Sequence, residues 1–388
     1  LILRRRQVLA GAAAAFLPAA ALAGGTLADT SIGAIRAALA AMPPGPALLN
    51  SYIVAPGPDP ADFDLTQADA AYVYDNALAG LALIAAGDVA EARRIGDALA
   101  FAQAHDRFYK DGRLRNAYQA GAMTAPARLP GWWDKTAQRW NEDPYQVGTQ
   151  SGPVAWAMLL WAKLGMTAPA NAAGDWLDDQ LRAPDGYYGG FYGFEPKPQK
   201  LLWQSTEQNT DLAIAFEYLA RVEDSQHAQS FVTAMFDHQS GVFNAGLAPD
   251  GSRNKMLAAD AGIWPFLAGL GSADSTLRAI ARLSHRNGIG FSDASDGIWL
   301  EGTAFAAMAL RRLHDPRAAA FLATIAANLS PTGYVYATVK PQLSTGLTVG
   351  PSLVPGQPAK PFNYYRRPSL SATAWTALTG TSMPDPPG

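Results

Sequence analysis

The sequence predicts an all-α fold, an (α/α)6 toroid of six inner and six outer helices with long loops and short extended segments on one face. Three observations predict it. Six apolar helical stretches each open on a small polar or acidic cluster: Tyr74-Asp75-Asn76-Ala77, Gly148-Thr149-Gln150-Ser151, Thr206-Glu207-Gln208-Asn209, Ala259-Asp260-Ala261, Glu301-Gly302-Thr303 and Ser369-Leu370-Ser371. Each leads into a helix crowded with Ala, Leu and Trp, as in Val154-Ala155-Trp156-Ala157-Met158-Leu159-Leu160, and more polar helices lie between them. Links from an apolar helix to the next polar one are short, whereas links back are long and mutually similar. Such self-similarity is the mark of a repeat architecture.

Taken in order, residues 1–25 read as an export signal. Arg4-Arg5-Arg6-Gln7-Val8-Leu9 precedes an apolar run from Ala10 to Leu22, with Ala21-Leu22-Ala23 as a small-residue cleavage site. Arg5-Arg6-Gln7-Val8-Leu9 is similar to the twin-arginine signal. Gly11 and Pro18 interrupt a stretch already short for a membrane span. Residues 26–388 then form a single toroid domain. A helix from Thr30 to Ala41 is followed by a Pro/Gly-rich link from Pro43 to Pro60. Helical periodicity predicts pairs at Ala70–Ala86 with Val89–His105, Val147–Lys163 with Ala172–Leu181, and Thr206–Ala220 with Asp224–Phe236. Lys255–Leu270 pairs with Ser272–His285, and Trp299–Leu313 with Pro316–Asn328. A last helix, Ser369–Thr379, pairs with the first and closes the ring.

The short links are Gly87-Asp88, Val222-Glu223-Asp224 and His314-Asp315. The long ones include Lys110-Asp111-Gly112-Arg113-Leu114, Pro184-Asp185-Gly186-Tyr187-Tyr188 and Pro331-Thr332-Gly333-Tyr334-Val335. Each is a turn whose Gly permits positive φ, followed by an extended aromatic or apolar segment. Alternating helix direction puts all the long loops on one face, beside the starts of the inner helices, and that face is the predicted active face.

Composition bounds the function. The chain has 388 residues, 49% hydrophobic and 16% charged, enough for a large buried core. A net charge of −3 gives no electrostatic reason to expect nucleic acid. Cysteine is absent, which excludes disulfides, thiolate metal sites and a cysteine nucleophile. No metal-ligand cluster and no phosphate-cradling glycine loop is visible, so no cofactor is expected.

With these motifs in place, the chain resembles the six-hairpin (α/α)6-toroid glycosidases. It is most similar to a bacterial exported branch carrying Tyr-Asp-Asn-Ala, Ser-Thr-Glu-His-Asn, Glu-Gly-Thr-Ala and Ala-Thr-Ala-Trp segments. The matching segments here are Tyr74-Asp75-Asn76-Ala77, Ser205-Thr206-Glu207-Gln208-Asn209, Glu301-Gly302-Thr303-Ala304 and Ala372-Thr373-Ala374-Trp375. The pattern differs at Gln208, where the branch carries His, so no ionisable group stands there. The resemblance covers most of residues 26–388.

Glycosidic cleavage needs one protonated carboxyl to protonate the leaving oxygen and a second carboxylate as nucleophile or base. Glu207 is the candidate acid, in the first turn of an inner helix after Trp203. Asp211 lies one turn later on nearly the same face, close enough for the pair to raise one pKa. The competing reading has Ser205 and Gln208 forming a capping box, with Glu207 merely complementing the helix dipole. Asp75, set among Tyr72, Val73 and Tyr74, and Glu301, between Trp299 and Gly302, are candidates for the second carboxylate. Gly302 is expected to let a sugar approach the backbone. Asp211, Tyr74, Asn76, Gln150, Trp203, Asn209, Asp260, Trp299, Tyr364 and Tyr365 are the candidate substrate-binding residues.

Aromatics crowd the long loops, among them Trp132, Trp133, Trp140, Tyr145, Tyr188, Phe191 and Tyr192, either to stack on sugar rings or to pack loops onto the rim. Arg113, Arg115, Lys135, Arg139, Arg253, Lys255, Arg366 and Arg367 share that face and leave an anionic polysaccharide open. None of the five histidines opens an inner helix. The expectation is an exported, periplasmic or secreted, monomeric glycoside hydrolase acting on a bacterial poly- or oligosaccharide. It has no nucleic-acid partner and no stable membrane association once the signal is removed. Separated acids favour an inverting mechanism. The alternatives are a polysaccharide lyase on the same toroid and a non-catalytic periplasmic glycan-binding or assembly factor.

Overall fold

In the computed structural model, residues 26–54 and 62–380 are described; the expected signal at 1–25 lies outside them. Thirteen α-helices occur among the described residues. They are α1 Leu27–Ala40, α2 Asp62–Gln67, α3 Val73–Ala85, α4 Val89–Ala104, α5 Ser151–Lys163, α6 Thr167–Leu181 and α7 Thr206–Tyr218. The rest are α8 Val222–Ala234, α9 Ala259–Leu267, α10 Ala273–Leu283, α11 Leu300–Arg312, α12 Arg317–Ala326 and α13 Leu370–Leu378. The inner ring runs α3, α5, α7, α9, α11, α13 and back to α3, each packed on the next. The outer helices α4, α6, α8, α10 and α12 each pack on the inner helix before them, and α1 packs on α13. The predicted ring and its closure are both present. The short helix α2 falls in the link after Pro60, where none was expected.

The inner helices are apolar on nearly every side, so they are buried all round. Trp161, fully buried on α5, donates its indole Nε1 to the Gly96 carbonyl of α4 at 2.9 Å. A Cβ on Gly96 would come within 2.5 Å of Leu164 Cδ1, so this glycine sets how closely the two helices approach. Each such buried large side chain contributes about 1.5–3 kcal/mol. No helix among the described residues is long and apolar enough to cross a membrane.

Three predicted inner helices start too early. Ala70–Tyr72 pairs with Ala117–Gln119, Thr149–Gln150 with Gly190–Phe191, and Ala258 bridges to Ser292, so α3, α5 and α9 begin only after these bridges. Backbone pairing with the long loops wins over local helical periodicity there.

A recurring side chain fixes these loops. The fourth residue of α3, α7, α11 and α13 is Asn76, Asn209, Thr303 and Thr373. Each bonds back to the carbonyl four residues earlier: Tyr72 at 3.0 Å, Ser205 at 2.9 Å, Trp299 at 2.7 Å and Ser369 at 2.6 Å. Each also accepts a loop amide: Leu49 at 2.7 Å, Tyr187 at 2.8 Å, Ile289 at 3.1 Å and Val335 at 2.9 Å. The two asparagines return a second bond to the same loop residue, the carbonyls of Leu49 and Tyr187.

A buried ion-pair network ties further loops to the end of α4. Fully buried Arg115 holds Asp106 through Nε at 2.5 Å and Glu195 through Nη1 at 3.0 Å, and donates to the Val147 carbonyl. Arg107 extends it to Glu142 and Glu195.

Candidate active site

All six inner helices contribute to one pocket at their N-terminal ends. It is lined by Tyr74, Trp156, Glu207, Asp211, Asp260, Trp264, Phe305 and Trp375. The positions follow a rule. The second residues of the inner helices are Tyr74, Gly152, Glu207, Asp260, Glu301 and Ser371; the sixth are Leu78, Trp156, Asp211, Trp264, Phe305 and Trp375. Residues four apart share one helix face. The second and sixth positions therefore look into the ring, while the fourth, half a turn round, looks out to the loops.

The floor is aromatic. Trp156 and Trp264 stack at 5.4 Å between ring centroids, and Trp375 meets both edge-on at 5.7 Å. Tyr74 stands edge-on to Trp156 at 5.3 Å, and Phe305 lies against Trp375 at 5.6 Å.

Five carboxyls converge here in two kinds of setting. Glu301, buried, accepts from Tyr74 Oη at 2.6 Å and from Ser371 Oγ at 2.7 Å, one donor on each oxygen. Trp375 Nε1 donates to Tyr74 Oη at 2.8 Å and fixes the phenol's direction. Burial pushes the Glu301 carboxyl up to about 7, with the two hydroxyl donors opposing. Glu207, partly exposed to the pocket, makes no hydrogen bond among the described residues. Burial and then the nearby charge of Glu301 push it up to about 7 as well. The helix cap is supplied by Ser205, whose Oγ accepts from the Gln208 amide at 3.3 Å. The Gln208 side chain turns instead to Ser151 Oγ, 2.7 Å away on α5, so no reciprocal capping box forms. The capping box expected of Ser205 and Gln208 is therefore absent, while Glu207 still stands in the first turn of α7, where its charge complements the helix dipole.

Asp211 is buried, with Oδ1 accepting from Trp264 Nε1 at 2.8 Å and Oδ2 without a hydrogen-bond partner among the described residues. Burial and the charge of Glu207 raise its pKa, opposed by the indoles of Trp264 and Trp156. Asp260 reaches the pocket half-buried, and burial followed by the charges of Glu207, Glu301 and Asp211 raises it. Asp75 sits deeper, held by Ser51, and is raised by burial and by Glu301. Like Glu301, it stands behind the residues that line the pocket.

Of the other candidates, Asn76 and Asn209 spend their amides on the backbone and are fully buried, so they hold loops and do not reach the pocket. Gln150 is buried at the N-cap of α5, its backbone amide donated to Asn116 Oδ1 at 2.7 Å. Trp203 packs over Gly189, where a Cβ would come within 2.5 Å of its ring. Trp299 is buried, and its own ring occupies the space beside Gly302, within 2.4 Å of where a Cβ would be. The approach of a sugar expected at Gly302 is therefore blocked. Tyr364 stacks on Trp299 at 5.4 Å and feels the charges of Glu301 and Asp260, which raise its pKa after burial. Tyr365, one residue on along the strand, points the other way and packs on Phe63 of α2 at 4.5 Å.

Trp156, Trp264, Phe305 and Trp375 line the pocket without having been among the sequence candidates; their signal is an aromatic four residues after a polar helix start. The basic residues expected near the site are engaged elsewhere or remote. Arg115 pairs with Asp106, Arg113 with Asp111 at 2.6 Å, and Arg367 with Asp64 at 2.7 Å, while Arg366 donates to Asn328 Oδ1. None of the eight lining residues is basic. Among the described residues no group of three His, Asp or Glu is arranged to hold a metal ion.

No family profile and no curated protein sequence matches the chain. Solved structures do. A glycosidase variant in complex with glucose superposes with a TM-score of 0.57 at 14% identity, over 91% of this chain and 96% of that one. A sugar epimerase from a ruminal bacterium gives 0.54 at 9% identity, covering 92% and 100%. A family 76 glycoside hydrolase from a bovine Bacteroides thetaiotaomicron strain gives 0.54 at 10% identity, covering 92% and 77%. The chain therefore has the (α/α)6-toroid fold found in glycoside hydrolases and in a sugar epimerase.

Proposed function

We propose that the protein is an exported glycoside hydrolase, with Glu207 as general acid and Glu301 as the second carboxylate. One observation carries the assignment: Glu301 accepts a hydroxyl donor on each oxygen, while Glu207 accepts none. Two neighbouring buried carboxyls do not both ionise readily. Donors on Glu301 stabilise its charge, which leaves the shared proton on Glu207, where a leaving oxygen needs it. The aromatic floor offers flat apolar surface to a sugar ring, and the fold is shared with glycosidases. The substrate is a bacterial poly- or oligosaccharide, the protein a monomer, and its location periplasmic or secreted.

Glu207→Gln keeps shape but removes the titratable proton. Reducing-end release from a panel of bacterial polysaccharides should fall by roughly two to four orders of magnitude, with oligosaccharide binding retained. A fully active variant would end the assignment. An ultraviolet-absorbing unsaturated product would make the protein a lyase instead. Glycan binding with no turnover, unchanged by loss of the central carboxyls, would make it a binding or assembly factor.

A further inference from the structure

The pocket has more carboxyls than two catalytic acids require. Glu207, Asp211 and Asp260 line it, Glu301 and Asp75 stand behind, and no basic side chain faces them from the lining. Buried carboxylates ordinarily sit against a cation or a full set of donors. Asp211 has neither: its Oδ2 is buried at the pocket wall and unpartnered, while Trp264 holds Oδ1. An atom of that kind in an otherwise packed interior marks the place of an absent partner. Beside it lies the cluster of Trp156, Trp264 and Trp375, with centroids 5.4–5.7 Å apart. Aromatic rings combined with carboxylates are the surroundings that favour an organic ammonium ion, through the ring quadrupole and charge-assisted hydrogen bonds.

We propose that this pocket selects a hexosamine unit with a free amino group, whose ammonium ion donates to Asp211 Oδ2 between the tryptophan cluster and Asp260. A neutral hexose brings hydroxyl donors but no positive charge to set against the carboxyls. An N-acetylated hexosamine brings a bulkier neutral amide that carries no positive charge. The polysaccharide implied is one carrying de-N-acetylated amino sugars. This deepens the reading of the pocket as a carbohydrate site and rests on it.

The test is calorimetric binding of D-glucosamine, D-galactosamine and D-mannosamine to the full chain, each beside its parent hexose and its N-acetyl form, with ammonium chloride as the ion control. At least one free amine should bind tenfold or more tighter than both of its neutral counterparts and than ammonium. Asp211→Asn should erase that preference. Asp260→Asn, at a half-buried position on α9, should weaken it even if Asp211→Asn fails to fold. Equal or tighter binding of the parent or N-acetyl sugar, or no binding by any amine, overturns the proposal. The two readings fail separately. Glu207-dependent cleavage of a neutral glycan would keep the hydrolase and sink the amine preference; amine-selective binding without cleavage of any glycan would do the reverse.

Discussion

Tyr74 donates its phenolic proton to Oε1 of Glu301 across 2.6 Å, and that bond joins the first inner helix to the fifth. Trp375 Nε1 in turn donates to the Tyr74 oxygen, so the phenol has one orientation and one job. The bond favours the ionised form of Glu301 against the burial that disfavours it.

Tyr74→Phe removes that support and leaves Trp375 Nε1 unpaired. The Glu301 carboxyl should then titrate still higher, and kcat/KM at neutral pH should fall by roughly 10- to 100-fold. The informative measurement is the pH profile, whose acidic limb moves to higher pH. An acidic limb that stays in place would remove Glu301 from the role of base.

Glu207 also makes stability depend on pH. Its folded value is about 7 against an ordinary 4.5. Below 4.5 both states hold the proton and the burial has no cost. As pH rises from 4.5 through 7, the unfolded chain ionises first and stability is lost. Glu207→Gln cannot ionise, so it should match the parent in denaturant unfolding at pH 4 and exceed it at pH 8, on the order of 1–3 kcal/mol. A variant that is less stable at pH 8 would contradict the burial argument.

The loop clamps predict a stability loss separable from chemistry. Asn209→Ala breaks bonds to Tyr187 and Ser205 and strands two buried backbone groups of the loop. It should cost about 2–4 kcal/mol in urea unfolding, with the shape of the pH–rate profile retained. Loss of activity without loss of stability would place Asn209 in the site after all.

Gly152→Ala separates the pocket from the fold in the opposite sense. A Cβ there falls 2.9 Å from Gln208 Cγ and 3.2 Å from Asp211 Oδ2. Alanine gains about 1 kcal/mol of helix propensity over glycine, which offsets the crowding, so thermal unfolding should move little. Ligand affinity should drop about tenfold because Asp211 must shift. Unchanged affinity would show that Asp211 is not a contact.

Export is tested in cells. With Arg5 and Arg6 both replaced by Lys, the precursor should accumulate inside if the twin-arginine route carries it. Normal delivery would instead indicate the general secretory route.

Much of this protein was determined by the sequence itself. The apolar helical period, the alternation of short and long links and the polar helix starts are local properties, and they carry the helix count, the pairing and the face on which the loops gather. Glu207, Asp211, Asp260, Glu301 and Tyr74 were visible because each stands in the first or second turn of an apolar helix, where a polar side chain has few structural uses. Tertiary structure decided which side of each start faces the axis. A helix buried all round has no solvent face to betray its orientation, so neither Asn209 as an outward clamp nor Trp264 as an inward wall could be read from periodicity. Only the closed ring turns the second and sixth residues inward and the fourth outward. It alone brings Tyr74 to Glu301, some 227 positions apart, because contacts across a toroid depend on the summed angles of six helix pairs.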